Sequence, residues 1–220
     1  MGCPAASKAY NAYGLKSQPY QVKCRKTREE RKIFMESNKP KKLYRTIMAD
    51  PPWDISQRGT YGAAKHYSLL SLEQIKAMPV ADFAEQDAHL WLWTYPSALR
   101  QSYDVLDAWG FTMRSVFTWV KPRLGLGKYL RNATEHVLLG TRGKAPVRYK
   151  AQPNWGFFPV QDHSHKPEEF HKIVERVSPG PYLELFARRR QPGDWDFWGN
   201  EIESDIRIPG YPVPKYKEGV

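Results

Sequence analysis

The chain has 220 residues, is 41% hydrophobic and carries a formal net charge of +11. That length suits one domain with a self-sufficient core, and two cysteines, Cys3 and Cys24, exclude a disulfide framework. No apolar run approaches the roughly 20 residues of a membrane span, and the start MGCPAASK has no hydrophobic signal region, so a protein of a reducing, intracellular, cytoplasmic compartment is expected.

Residues 1–42 are polar, basic and poorly periodic, and read as a partly mobile arm with one short helix over 28–35. Residues 1–45 hold twelve Lys or Arg against three acids. Tyr44 to Ala49 is apolar and partly β-branched, which predicts a buried strand. Pro51 and Pro52 end it just past Asp50. A Gly-rich polar loop follows over 54–65. Ser71 caps a short helix to Met78. His89 to Thr94 predicts a strand, and Pro96 to Trp109 a helix with Leu99, Tyr103 and Leu106 on one face and Gly110 as its stop. Met113 to Val120 and Glu135 to Gly140 predict two further strands, joined by a basic loop over 121–134.

Residues 121–150 hold eight bases against the single acid Glu135. Blocks of this kind favour polyanions through counterion release; a solvated basic surface is the plain alternative. Residues 144–166 read as irregular. Pro167 then opens a helix whose apolar face is Phe170, Ile173, Val174 and Val177, stopped by Ser178-Pro179-Gly180. Tyr182 to Ala187 predicts a strand, 194–202 reads as aromatic and irregular, and 204–220 as a Pro-rich tail. Strands alternating with helices or loops over 44–190 argue for an α/β fold with a mainly parallel sheet. His163 and His165, two apart, are too weak a pattern to predict a metal, and none is expected.

Asp50 is predicted just beyond the carboxyl end of a buried strand, where open α/β sheets bind ligands. The tetrapeptide Asp50-Pro51-Pro52-Trp53 answers the needs of one reaction. The exocyclic amine of adenine is a poor nucleophile because its lone pair is delocalised into the purine. Acceptors on its N–H bonds return electron density to the nitrogen. The Asp50 carboxylate can accept one such bond and a carbonyl of the stiff Pro-Pro pair the other. Trp53 offers a ring on which the base can stack, and Asp50 or water can take the proton released after transfer.

At these residues the chain resembles the MT-A70-like adenine-amine methyltransferases, a β-class family carrying DPPW. A second block strengthens the resemblance: SHKPEEFHKIVERVSPGPYLELFARR, Ser164 to Arg189, followed by WDFWGNE, Trp195 to Glu201. The resemblance spans about Tyr44 to Ile202. It implies a Rossmann-like methyltransferase fold with helices on both faces, a permuted motif order, and S-adenosylmethionine as methyl donor. It also implies that Asp50 sits near both methyl and amine, and that Lys166 holds the cofactor. Glu184 would take the ribose hydroxyls with Phe186 and Arg188 beside it, and Asn200 and Glu201 would meet the adenosine end. Tyr67, in HYSLLS, would shape the target-base pocket, and Glu135, in TEH, would face the substrate. The domain is expected over 43–203.

The target amine must be flipped out of a duplex or already single-stranded. Loops 54–66 and 154–166 are the expected lids. The arm and the loop cations Lys121, Arg123, Lys128 and Arg131 are the expected backbone contacts. The expected partner is nucleic acid, DNA ahead of RNA, for a monomer or homodimer. A silent nucleic-acid-binding subunit and a methyltransferase for a free adenine nucleotide are the alternatives.

Overall fold

Residues 42–53, 70–125, 129–161, 165–208 and 210–211 are described by a computed structural model of the chain. Strand β1, Tyr44–Ala49, is largely buried, as predicted, and lies mid-sheet. Helix α1, Leu72–Lys76, starts at a reciprocal capping box: Ser71 accepts from the Gln74 backbone N–H, and the Gln74 side chain accepts from that of Ser71. Strand β2, Ala84–Thr94, starts earlier than its apolar run suggests. Helix α2, Leu99–Ala108, buries Ser102, Val105 and Leu106, whereas Tyr103, expected on its inner face, is exposed. Strands β3, Thr112–Val120, and β4, Thr134–Arg142, follow. Helix α3, Glu169–Val177, leads into β6, Tyr182–Leu185.

Two strands were not foreseen. Trp155–Phe157 forms β5 inside the segment read as irregular, and Trp195–Trp198 forms β7 in the aromatic stretch. Each is too short to show a period, and Gly156 interrupts the first.

The seven strands lie in the order β5-β3-β4-β2-β1-β6-β7. Every neighbouring pair is parallel except the two that involve β4. The sheet is therefore mostly parallel, with one reversed strand where the 121–133 connection returns the chain without a crossover helix. Helices cover both faces. On one, Ile47, Leu90 and Leu92 pack with Ile75, Val105, Leu106 and Trp109. On the other, Met48, Trp91, Trp93 and Phe117 pack with Phe170, Ile173, Val174 and Val177, the predicted face of α3. Each such side chain contributes about 1.5–3 kcal/mol when fully buried, so Val174→Asp would detach this helix. Gly140 is required beneath α2: a Cβ there would lie 2.6 Å from Leu106 Cδ2.

Near the amino ends of β1 and β6 lies a closed polar network. His89 Nε2–H donates to Ala145 O at 2.7 Å, and the Ser178 hydroxyl donates to His89 Nδ1 at 2.7 Å. Trp91 Nε1–H in turn donates to Ser178 Oγ at 2.9 Å. This assignment makes His89 neutral, in line with burial pushing its pKa down. The start of the segment read as a tail packs on the domain: Ile208 and Tyr211 are buried, and Tyr211 Oη donates to Gln74 O at 3.1 Å.

The order of connections positions the site. From β1 the chain moves through α1 to β2 on one side, and it returns late through α3 to β6 on the other. The carboxyl ends of β1 and β6 thus face a crevice between oppositely placed helices, the switch point at which α/β sheets bind ligands.

Candidate active site

Asp50 leaves β1 at this switch point, its N–H donating to Leu185 O of β6 at 3.3 Å. Two residues of proline deny the strand further pairing and turn the chain out of the sheet. The Pro51 carbonyl accepts from Trp53 N–H and the Pro52 carbonyl from Leu70 N–H, both at 2.9 Å. Among the described residues, each carbonyl thus accepts one backbone hydrogen bond. Trp53 departs from expectation. It is 6% exposed, packs in the α1–α2 core and donates Nε1–H to Trp93 O at 3.1 Å. In this structure it pins the motif to β2 instead of offering an open stacking face.

Around Asp50 the structure gathers a chain of four alternating charges. Lys166 Nζ lies 2.7 Å from Asp50 Oδ2 and 3.3 Å from Glu135 Oε2, and Lys121 Nζ donates to Glu135 Oε1. Because β4 runs backwards, its amino end, with Glu135, reaches the same edge as the carboxyl ends of β1 to β3. Each ammonium also lies over an indole: Lys166 over Trp93 at 5.2 Å and Lys121 over Trp119 at 4.7 Å. Lys121, expected as an open phosphate contact, is half-buried within this network, whereas Arg123 and Arg131 are exposed as expected. Lys128 and Tyr67 lie outside the described residues, as do the arm to residue 41, loop 54–66, Ser164 and the end of the tail.

The two carboxylates are driven apart. Burial pushes the Asp50 pKa above its ordinary value, with Lys166 pulling it partly back and Glu135 adding to the rise. The Asp50 side chain is still 29% exposed, so solvent moderates that rise. Burial acts on Glu135 too, but Lys166 and Lys121 together outweigh it and hold its pKa below the ordinary value. Burial and the two lysines thus shift the two carboxylates in opposite directions.

The second half of the crevice is built by the block after Lys166. Glu184 Oε2 accepts from His171 Nε2–H at 2.8 Å, and the His171 ring stands edge-on to Trp195, 5.0 Å away. Phe186 ends β6 with φ 66°, a left-handed conformation that a bulky residue adopts only when the surroundings hold it. Its ring stands edge-on to Trp198 at 5.4 Å. The turns after β6 and β7 touch: a Cβ at Gly199 would lie 1.9 Å from Ala187 O. Arg188 Nε donates to Glu201 Oε1 at 2.8 Å, and Asn200 is half-buried beside them in sequence. His171 was missed by sequence reasoning, and His165, read only as part of a weak metal pattern, is half-buried with Nε2 3.8 Å from Glu168 Oε1. No local spacing marks either residue, since the Glu184 contact is tertiary.

The donor set fits S-adenosylmethionine on chemical grounds. Lys166 suits its carboxylate, Glu184 its ribose diol through the lone pairs His171 leaves open, and Phe186 a flat purine. Among the described residues no cluster of three or more His, Cys, Asp or Glu is arranged to hold a metal, and no helix is long and apolar enough to cross a membrane.

A family model described as MT-A70 matches residues 44–201. The chain belongs to the MT-A70 family. It is 30% identical over 194 residues to the type II methyltransferase M.MunI of Mycoplasma sp, covering 77% of this chain and 83% of that protein. It is 30% identical over 188 residues to the human N(6)-adenosine-methyltransferase catalytic subunit METTL3, covering 80% of this chain and 31% of METTL3. The MT-A70-like protein of Drosophila melanogaster is 32% identical over 178 residues, and this chain covers 28% of it. The chain thus spans less than a third of these two animal relatives. MT-A70 membership accords with the mostly parallel sheet. As a methyltransferase family it also implies S-adenosylmethionine as donor.

Proposed function

We propose that this chain transfers the methyl group of S-adenosylmethionine to the exocyclic N6 amine of adenine in nucleic acid, with DNA as the preferred substrate. One observation carries the reading: at the switch point an Asp50 carboxylate of raised pKa faces the crevice, tied to Lys166 and separated in pKa from Glu135. When bound, S-adenosylmethionine supplies an electrophilic methyl on a sulfonium, which leaves as a neutral thioether.

Ionised Asp50 accepts one N–H of the target amine, and the Pro51 or Pro52 carbonyl accepts the other. Both acceptors are fixed before the base arrives, so little reorganisation is needed as the nitrogen becomes nucleophilic. Formation of the N–C bond leaves one proton too many on nitrogen. Asp50, the more basic carboxylate, takes it and passes it to solvent. Lys166 orients Asp50 and pairs with the donor's carboxylate, while Glu135 keeps Lys166 charged and in place. Trp53 and Trp93 brace these groups. Glu184, Phe186, Arg188, Asn200 and Glu201 hold the adenosine end of the donor.

Residues 43–203 form the methyltransferase domain in this reading. The basic arm 1–42, with Lys128 and Tyr67, adds contacts to the substrate inside the cell. The preference for DNA is drawn from the likeness to the type II methyltransferase M.MunI, 30% identical over 194 residues. Matched DNA and RNA oligonucleotides assayed side by side test it. Transfer to DNA at the higher kcat/KM is expected, and transfer to RNA alone would overturn it.

A further inference from the structure

Seven of the eight Trp are buried; Trp155 is 59% exposed. It lies on β5, the edge strand, with Phe157, itself 60% exposed. The two alternate with Gly156, so both rings project from one face. Their register partners Thr118 and Val120 place that face on the α2 side of the sheet. The strand is pinned for this display. On the opposite face the Phe158 ring lies over Gly156, where a Cβ would come within 2.4 Å of it. Asn154 O accepts from Thr118 N–H at 2.9 Å, and Phe158 O accepts from Trp119 Nε1–H at 3.0 Å, anchoring β5 at both ends. Two large rings held rigidly in water are a costly surface unless something flat covers them.

The surroundings say what that is. Phe157 pairs with Val120, the last residue of β3, after which the connection 121–133 carries Arg123, Arg131 and the exposed ring of Tyr129. Residues 121–150 hold eight bases and one acid. A second copy of the chain docked on this face by a two-fold axis would bring these cations together, and a three-residue strand offers little edge to pair. A polyanion with flat bases satisfies both features. The rings lie four strands from β1, about 19 Å along the sheet, a reach of a few nucleotides from Asp50.

We propose that Trp155 and Phe157 form a stacking platform for bases flanking the target adenine on a single-stranded nucleic acid, with Arg123 and Arg131 along its phosphates. This rests on the methyltransferase reading for the target but not for its test. Binding of end-labelled single strands of about 15 and about 5 nucleotides, each with one adenine, is measured by anisotropy without methyl donor. Trp155→Ala/Phe157→Ala is expected to weaken the long strand about ten-fold or more and the short one less than about two-fold, with the thermal midpoint unchanged. Trp155→Phe retains most of the affinity, and the long strand quenches the wild-type Trp fluorescence. Equal losses on both lengths, or none, would overturn the proposal. So would a native mass that falls from dimer to monomer in the double variant, which would assign the rings to a second copy. Failure of methyl transfer would refute the proposed function and leave this readout standing.

Discussion

Two buried polar networks hold opposite ends of the sheet. At the amino end, His89, Ser178, Trp91 and Ala145 O satisfy one another with no net charge. At the carboxyl end, Asp50, Lys166, Glu135 and Lys121 alternate in charge and stay partly open to solvent. A closed network spends its hydrogen bonds on the fold. An open, charged one costs stability and keeps capacity for a ligand. The contrast separates stability from chemistry residue by residue.

The sharpest break of that contrast is Asp50→Ala. Methyl transfer, followed with labelled donor, should fall by about a hundred- to a thousand-fold or more, while oligonucleotide binding stays within about two-fold. Lys166→Met comes next and leaves two carboxylates facing each other. The kcat/KM for the donor should drop about 30-fold or more. Its pH profile adds a direction: with ionised Asp50 as the proposed acceptor, activity should be lost as pH falls through its raised pKa. Lys166 lowers that pKa, and its removal should move the acid limb to higher pH. A limb that stays put would show that another group sets it.

The amino-end network should respond in the opposite way. His89→Ala leaves the Ser178 hydroxyl, and the Ala145 carbonyl, short of a partner, and should cost roughly 2–4 kcal/mol in denaturant unfolding with kcat at low temperature unchanged. The folded pKa of His89 lies below its ordinary 6.5. Between the two values the unfolded chain binds more protons, so stability is full above about pH 6.5 and is lost as pH falls toward the folded pKa. His136 acts with the same sign, and His89→Ala should flatten the thermal midpoint's dependence on pH without abolishing it. Smallest is Lys121→Met, because Glu135 keeps Lys166. A few-fold loss in kcat/KM is expected, measured in the same assay.

What the sequence made legible follows from how local each cause is. The cap at Ser71, the apolar face of α3 and the abrupt end of β1 at Pro51 are written within a few residues, and each was read, though the reciprocal contact of Gln74 was not. The strands β5 and β7 are too short for a period, and β4 reverses direction because of a connection whose geometry no local rule sets. At the site, the motif residues were legible as chemical types. Their connections were not. Lys166 and Glu135 meet through the sheet, His171 reaches Glu184 from α3 to β6, and Lys121 turns inward because Trp119 and Glu135 receive it. Trp53 carried the same ambiguity in reverse: an indole beside a carboxylate suits stacking and bracing equally, and its burial and its bond to the Trp93 carbonyl come only from the tertiary structure.

On the proposed function, Asp50, at the carboxyl end of β1 beside β6, activates the N6 amine of adenine. Nucleosides from DNA and RNA oligonucleotides treated with the protein and isotope-labelled S-adenosylmethionine can be resolved by mass spectrometry, with Asp50→Ala run in parallel. The account predicts labelled N6-methyl-2′-deoxyadenosine with the wild type and none above background with the variant. Label at any other position, or equal N6 label with Asp50→Ala, would contradict it.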